Sequence, residues 1–252
     1  MPSVTNQSIL IVGGSSGIGF AVAKLCLAEN AQVIIASSNQ DRVDDAIRRL
    51  QEAVPEAKYQ PTGYRVDLYG HAAEANLEQL LSAVTEQGTK PLDHIVYTAA
   101  RPNLRALSDS DIEYFTDCAM LTMFMPLLIG KLGPRFLRPG YTSSITISSG
   151  SVAERPIPGF VHYSGYAAAQ QAIARSLALN LAPLRVNCVA PGATETELWG
   201  ERRDAIRAEY TKTSLLGKVG RPEEVAEAYL YLIKNTDATG SVVNSNGGSN
   251  LK

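Results

Sequence analysis

Short apolar runs alternate along the chain with longer stretches in which apolar residues recur every third or fourth position. Ser8-Ile-Leu-Ile-Val12 is closed by Gly13-Gly14, the form of a buried strand entering a tight turn. Ile18, Ala21, Val22 and Leu25 then follow helical spacing, and positions 32–36 make a second apolar run. Val43, Ile47, Leu50 and Val54 repeat at intervals of four, three and four, which predicts a one-sided helix over 41–53 ended by Pro55. Further strands are predicted at 64–67, 94–98, 144–147, 185–189 and 241–244, with intervals long enough for helices. Parallel strands need crossover connections, so this alternation implies an α/β fold: a doubly wound, mostly parallel sheet of about seven strands with helices on both faces. No linker, low-complexity tract or repeat interrupts the pattern, which predicts one domain over residues 1–252.

Charge and composition narrow the partners. The 252 residues carry 23 Lys+Arg against 25 Asp+Glu, a formal charge of −2, which offers no field for nucleic acid. The longest apolar run, 118–130, contains Thr122 and Pro126 and falls short of the roughly 20 residues of a membrane span. The opening MPSVTNQS has neither the basic nor the apolar region of a secretory signal. Cys26, Cys118 and Cys188 are odd in number and lie in apolar segments, the expectation being buried free thiols in a reducing compartment. Neither they nor His71, His94 and His162 show metal-ligand spacing. A soluble, cytoplasmic protein without metal or membrane partner is expected.

Between the first strand and the first helix lies Gly13-Gly14-Ser15-Ser16-Gly17-Ile18-Gly19. Glycines there allow a tight turn and close approach to a pyrophosphate, which the free N–H groups of the helix start attract. A plain strand–helix connection would use the same residues, but the position at the head of a βαβ unit favours the dinucleotide. The spacing, Gly-x3-Gly-x-Gly, is one residue wider than the usual G-x-G-x-x-G fingerprint.

This wider loop resembles that of the short-chain dehydrogenase/reductase family, and the resemblance runs over nearly the whole chain. Val66-Asp67-Leu68 is similar to the family's adenine-contacting strand end, and Thr98-Ala99-Ala100 stands where the family has Asn-Ala-Gly. Ser148-Ser149 resembles the strand end that carries the catalytic Ser. The segment 185–192, ending in Pro191-Gly192 and followed by Thr194 and Thr196, resembles the one that leads to the nicotinamide, and 220–225 resembles the start of a late helix. The resemblance implies a Rossmann-type sheet and a nicotinamide cofactor held by Gly13, Ser15, Ser16, Gly17, Ile18, Gly19, Asp67, Leu68, Thr98, Ala99, Ala100, Tyr163, Pro191, Gly192, Thr194 and Thr196. It also implies a homo-oligomer, dimer or tetramer, built on helices near 108–133 and 159–182.

The choice of cofactor has a physical basis in the second strand. An NAD site places an acid there to accept from the ribose 2′-OH. Here the segment reads Ala36-Ser37-Ser38-Asn39. Ser37, Ser38 and Asn39 leave room and donors for a 2′-phosphate, with Arg42 one turn further on, so NADP is expected. Ser38 or Asn39 could equally serve as the cap of the helix that follows.

The family's chemistry rests on Asn, Ser, Tyr and Lys, with Tyr and Lys at i and i+4. Aligned without gaps on Arg175-Ser-Leu-Ala178, Tyr163 falls on the Tyr and Ala167 on the Lys; a register based on Tyr166 puts Gln170 at i+4 and restores no cation. Ala119 stands where the Asn would be. Ser149 precedes Tyr163 by 14 residues and keeps the Ser role. An ordinary phenol has a pKa near ~10, and a neighbouring ammonium is what draws it toward neutrality. Without one, Tyr163 can donate but is a poor base. Alcohol oxidation should suffer, whereas an iminium carbon accepts hydride with no proton transfer to nitrogen. Tyr163 could otherwise be a wall residue, with Tyr166 the group that reaches substrate; His162 is expected to be structural and Trp199 a lid aromatic. The leading expectation is an NADP(H)-dependent reductase of a hydrophobic imine, iminium or conjugated carbonyl in specialised metabolism. A non-redox cyclase and a catalytically inactive NADP-binding protein are the competing readings.

Overall fold

In the computed structural model, which describes residues 3–101 and 105–251, all seven strands run parallel in one sheet of order β3-β2-β1-β4-β5-β6-β7. The strands are β1 (Ser8–Val12), β2 (Gln32–Ser37), β3 (Thr62–Arg65), β4 (His94–Tyr97), β5 (Ser144–Ser148), β6 (Arg185–Pro191) and β7 (Val242–Ser245). Helices α1 (Gly17–Ala28), α2 (Gln40–Ala53), α3 (Ala73–Val84), α4 (Ile112–Ala119), α5 (Met125–Leu132), α6 (Val161–Asn180), α7 (Arg203–Thr213) and α8 (Pro222–Lys234) connect them. Strand order reverses between β1 and β4, and a doubly wound sheet opens a crevice at the carboxyl ends of its strands at such a point.

The central strands are buried on both faces, which is why β1 and β2 read as near-continuous apolar runs, whereas β5 and β6 interleave apolar residues with buried polar ones such as Thr146 and Asn187. Leu10, Val12, Ile95, Ile145 and Val186 point into one core with α3, α5 and α6, while Ile9, Ile11, Val33, Ile35 and Val189 point into the other with α1 and α8. The edge strand β3 differs from expectation, covering Thr62–Arg65 rather than 64–67. Its alternation is weak because it lies at the sheet edge, and Asp67 turns the chain away by accepting the Tyr69 N–H on Oδ1 at 3.1 Å. Asn39 caps α2 by accepting the Arg42 N–H at 2.9 Å, which decides the capping role in its favour over Ser38.

The helical run through α4 and α5 contains a π-helical turn at Met120–Phe124 that hydrophobic spacing did not predict. Its cause is local. The Met125 N–H bonds to the Met120 carbonyl, and Pro126 has no N–H, so neither helical partner reaches the Leu121 carbonyl. The Tyr97 hydroxyl donates to it instead, at 2.8 Å. Continuity across this turn makes Ile112–Arg135 the one helix among the described residues long and apolar enough to cross a membrane by length and composition, which the run of 118–130 alone did not suggest. Leu121, Met125, Ile129 and Leu132 on it are buried against the sheet.

Arg185 is buried beneath the end of α8, and among the described residues no carboxylate pairs with it. Its guanidinium donates to the carbonyls of Leu232, Ile233 and Asn235 at 2.7–2.9 Å and to Tyr141 at 2.6 Å, so the negative end of the helix dipole and its free carbonyls stand in for a counter-ion. Cys26 and Cys188 are buried, and burial pushes both thiols up to about 12; Cys118 is only half-buried.

Candidate active site

The glycine loop leaves β1 at Gly13, whose φ of +94° suits glycine; a Cβ there would lie 2.6 Å from the Ala99 nitrogen. Thr98 closes the other side by donating its N–H and hydroxyl to the Val12 carbonyl at 2.9 and 3.2 Å. Thr98 and Ala99 therefore line the β1–β4 crevice beside the loop, with Ala100 exposed at its rim. Ser16 is the N-cap of α1, yet its side chain makes no capping bond. The N–H of Gly17 instead donates to Glu197 Oε2 at 2.9 Å, and Thr196 packs against the same glycine. A carboxylate thus already occupies a donor at the positive end of α1. The site fits the pyrophosphate of a dinucleotide, which the same N–H groups and dipole would attract.

Further along the sheet end, Ser15 Oγ donates to Ser37 Oγ at 2.9 Å, tying the glycine loop to the end of β2. Asn39 accepts the cap bond on Oδ1, which leaves its side-chain amide N–H groups as the donors a ligand could meet. Leu68 is buried in the core, so only its backbone can meet a ligand, and the Asp67 side chain serves the turn described above. Sequence spacing does not single out Arg65, an exposed charge on an edge strand; its Nε–H donates to the Ser38 carbonyl at 3.3 Å. Ile18 is half-buried behind the loop.

On the other side of the crevice, Ser149 follows β5 and donates its hydroxyl to the Ala167 carbonyl at 2.8 Å. That bond sets Ser149 against the turn of α6 that starts at Tyr163. Ala167 is 6% exposed, and no charged side chain stands between 163 and 167. Tyr163 donates its hydroxyl to the Arg101 carbonyl at 3.3 Å, so it reaches across to the segment after β4. Tyr166 turns the other way, donating to the Phe115 carbonyl at 2.9 Å, and burial holds its phenol above the ordinary range. His162 is buried with Nε2 2.9 Å from the Tyr114 hydroxyl, the structural place expected of it.

Pro191 ends β6, and the Gly192 N–H donates to the Ser245 carbonyl at 3.0 Å. Thr194 is buried with its hydroxyl on the Gly192 carbonyl at 3.0 Å, and Thr196 starts the 3-10 stretch Glu197–Arg202. Beyond Ala193 opens a cavity of about 460 Å³, lined by apolar Val152, Ile157, Phe160 and Val219 and by polar residues that include Ser151, Glu209 and Lys218. Trp199 is half-buried and takes no part in that wall. The C-terminal segment closes the cavity: Arg155 donates to the Ser249 carbonyl, and Glu154 accepts from Asn244 and Asn250. None of these latch residues was marked by sequence, because each acts through a fold-dependent contact. The arrangement provides a crevice whose glycine turn fits a dinucleotide, the hydroxyls of Ser149 and Tyr163 on its other side and a chamber of mixed, mostly apolar lining beyond.

Comparison with known proteins agrees with this geometry. Residues 2–252 match the SDR-like Rossmann domain family. The chain is 44% identical to the short-chain dehydrogenase/reductase ATR9 of Stachybotrys chlorohalonatus, covering 100% of both chains. It is 35% identical to the short-chain dehydrogenase/reductase malC of Malbranchea aurantiaca, covering 98% of this chain and 95% of that one. The solved structure of the MalC reductase/Diels-Alderase superimposes with a TM-score of 0.92 over 99% of this chain and 98% of that one, at 34% identity. With the all-parallel sheet, the glycine loop and this match over the full length, the chain belongs to the short-chain dehydrogenase/reductase family, with its SDR-like Rossmann domain.

Proposed function

We propose that the protein is an NADP(H)-dependent reductase of hydrophobic substrates bearing an activated C=N⁺ or conjugated C=O, acting in cytoplasmic specialised metabolism. The observation that carries this reading is the turn of α6 from Tyr163 to Ala167. It places a phenol on the crevice, but Ala167 is small and buried where a cation would be needed to make that phenol a base. The Ser149 hydroxyl donates to the Ala167 carbonyl, so it would have to leave that bond to polarise a substrate, and with Ala167 in place of a cation nothing helps Tyr163 to take a proton from an alcohol. The reduced nicotinamide supplies hydride when bound. The amides at the start of α1, once Glu197 yields the Gly17 N–H, and the hydroxyls of Ser16 and Thr196 would hold its diphosphate, and Ser37 and Ser38 would accept a 2′-phosphate without repelling it. Thr98, Ala99, Ala100, Pro191 and Gly192 would flank the rest. The apolar chamber suits a fused-ring or prenyl-sized substrate of low polarity.

The test is transfer of deuterium from NADPH labelled at C4 of the nicotinamide to a cyclic iminium substrate, followed by mass spectrometry. Labelled product supports the reading; absence of label from any product refutes it. A second reading, cyclisation in the same cleft, is favoured by the likeness to the MalC reductase/Diels-Alderase. It predicts product formed without label.

We also propose that the protein works as a homo-oligomer. Phe124 and Leu127 near α5, and Val161 and Leu179 on α6, are exposed apolar residues on helices that pack side by side. Leu127→Glu combined with Leu179→Glu should lower the mass in light scattering to about that of one chain, 27.0 kDa. A wild-type protein already of that mass overturns the proposal.

A further inference from the structure

We propose that Arg65, at the end of the edge strand, is the cation that recognises the 2′-phosphate of the cofactor, an inference that rests on the NADP(H) reading above. Three observations converge on it. Parallel pairing places Arg65 directly beside Ser37, and paired positions of adjacent strands project to the same face. On that face Ser37 Oγ already meets Ser15 Oγ of the glycine loop, so Arg65 and the loop flank one spot at the carboxyl end of β2. The Nε–H of Arg65 is fastened to the Ser38 carbonyl at 3.3 Å, which holds the guanidinium beside the serines.

The rest of the guanidinium is uncommitted. Among the described residues no carboxylate pairs with Arg65, and its terminal N–H groups have no acceptor, whereas Arg48 and Arg49 on the adjacent α2 are both ion-paired. A planar guanidinium with two free terminal nitrogens matches the oxygens of a phosphate monoester as a bidentate donor. Ser37, which accepts from Ser15, keeps its own O–H to donate. Arg65 and Ser37 together supply a charge-assisted donor set that a ribose bearing a free 2′-OH would leave largely unused. Arg42 is another nearby cation, but among the described residues nothing bonds its side chain at this spot, and its backbone N–H serves the α2 cap.

Equilibrium titration by cofactor fluorescence decides the matter, using the full-length protein with NADPH and NADH in turn. Arg65→Gln should weaken NADPH binding by about 10–100-fold and leave NADH within about twofold, the span expected for loss of charged hydrogen bonds. Arg65→Lys should fall between wild type and Arg65→Gln, and Arg42→Gln should change NADPH binding by less than about threefold. Equal weakening of both cofactors by Arg65→Gln, no weakening of either, or a larger loss in Arg42→Gln overturns the assignment. The two levels of failure separate: wild-type protein that binds NADH more tightly overturns the NADP(H) reading itself. Wild-type preference for NADPH that survives unchanged in Arg65→Gln overturns the role of Arg65 alone.

Discussion

His94 sits in the middle of the sheet, fully buried, and its titration should be visible in the acid stability of the whole fold. The ring contacts Gln7 Oε1 through Nε2 at 3.0 Å and Ser144 Oγ through Nδ1 at 2.8 Å. Gln7 Oε1 can only accept, so Nε2 carries the proton and Nδ1 accepts from the serine; a neutral ring satisfies both bonds. Burial, with the nearby positive charge of Arg185 adding to it, pushes the imidazole down to about 3. The unfolded chain takes up that proton near pH 6.5. The folded pKa is the lower one, so the contribution of the neutral ring is complete above pH 6.5 and is lost as pH falls toward 3. The slope is one proton, about 1.4 kcal/mol per pH unit, which gives about 2 kcal/mol between pH 7 and pH 5. Urea unfolding of wild type and His94→Gln at both pH values isolates this quantity, because the carboxylates common to both proteins cancel in the comparison. His94→Gln should be less stable than wild type at pH 7 yet lose about 2 kcal/mol less on going to pH 5. Equal losses in the two proteins would refute the reasoning, since they would mean that the folded state accepts the proton as easily as the unfolded chain.

Other substitutions probe the site and its frame. Glu197→Gln removes the carboxylate from the Gly17 N–H and should tighten NADPH binding, by about tenfold at low salt and less at high salt; weaker binding in a fluorescence titration would show that Glu197 helps to hold the cofactor. Tyr163→Phe should leave iminium reduction nearly unchanged and lower carbonyl reduction by up to ~10²–10⁴-fold, read as kcat/KM for paired substrates. Arg185→Met strands three carbonyls at the end of α8 and that of Tyr141, and should cost about 3 kcal/mol, a fall in Tm of about 6–12 °C by calorimetry; a shift under 2 °C would contradict the packing described.

Much of the fold was legible because the central strands are buried on both faces. Positions 8–12, 144–147 and 185–189 read as strands from short clusters of β-branched and apolar residues between helix-length intervals, and the structure extends the last two by only one or two residues. Legibility fell where burial fell. Strand β3 borders solvent, its Gly63-Tyr64-Arg65 carries no apolar alternation, and its register is fixed only by pairing with β2. The π-helical turn was hidden for another reason: Pro126 was visible, but the Tyr97 hydroxyl that makes the freed carbonyl tolerable comes from a strand 24 residues away.

The same distinction governs the site. Residues that act through backbone geometry, such as Gly13 and Gly17, announce themselves by type and spacing, because few other residues could take their place. Residues that act through a side chain reaching across the fold do not. Arg65 and Glu197 are ordinary exposed charges in the sequence, and each gains meaning only from the neighbour it meets: the Ser38 carbonyl in one case and the start of α1 in the other. These two carry opposite charges at the two ends of one cleft. The cation stands beside the serines of β2, where a phosphate monoester would be drawn in. The anion rests on the helix start, where a diphosphate would have to compete with it. If both act on the proposed cofactor, Arg65→Gln and Glu197→Gln should shift NADPH binding in opposite directions. They are on separate elements with no shared partner, so their effects should be close to additive in the double variant. NADH binding should respond to Glu197→Gln alone, because its diphosphate is the same and its ribose offers Arg65 no charge.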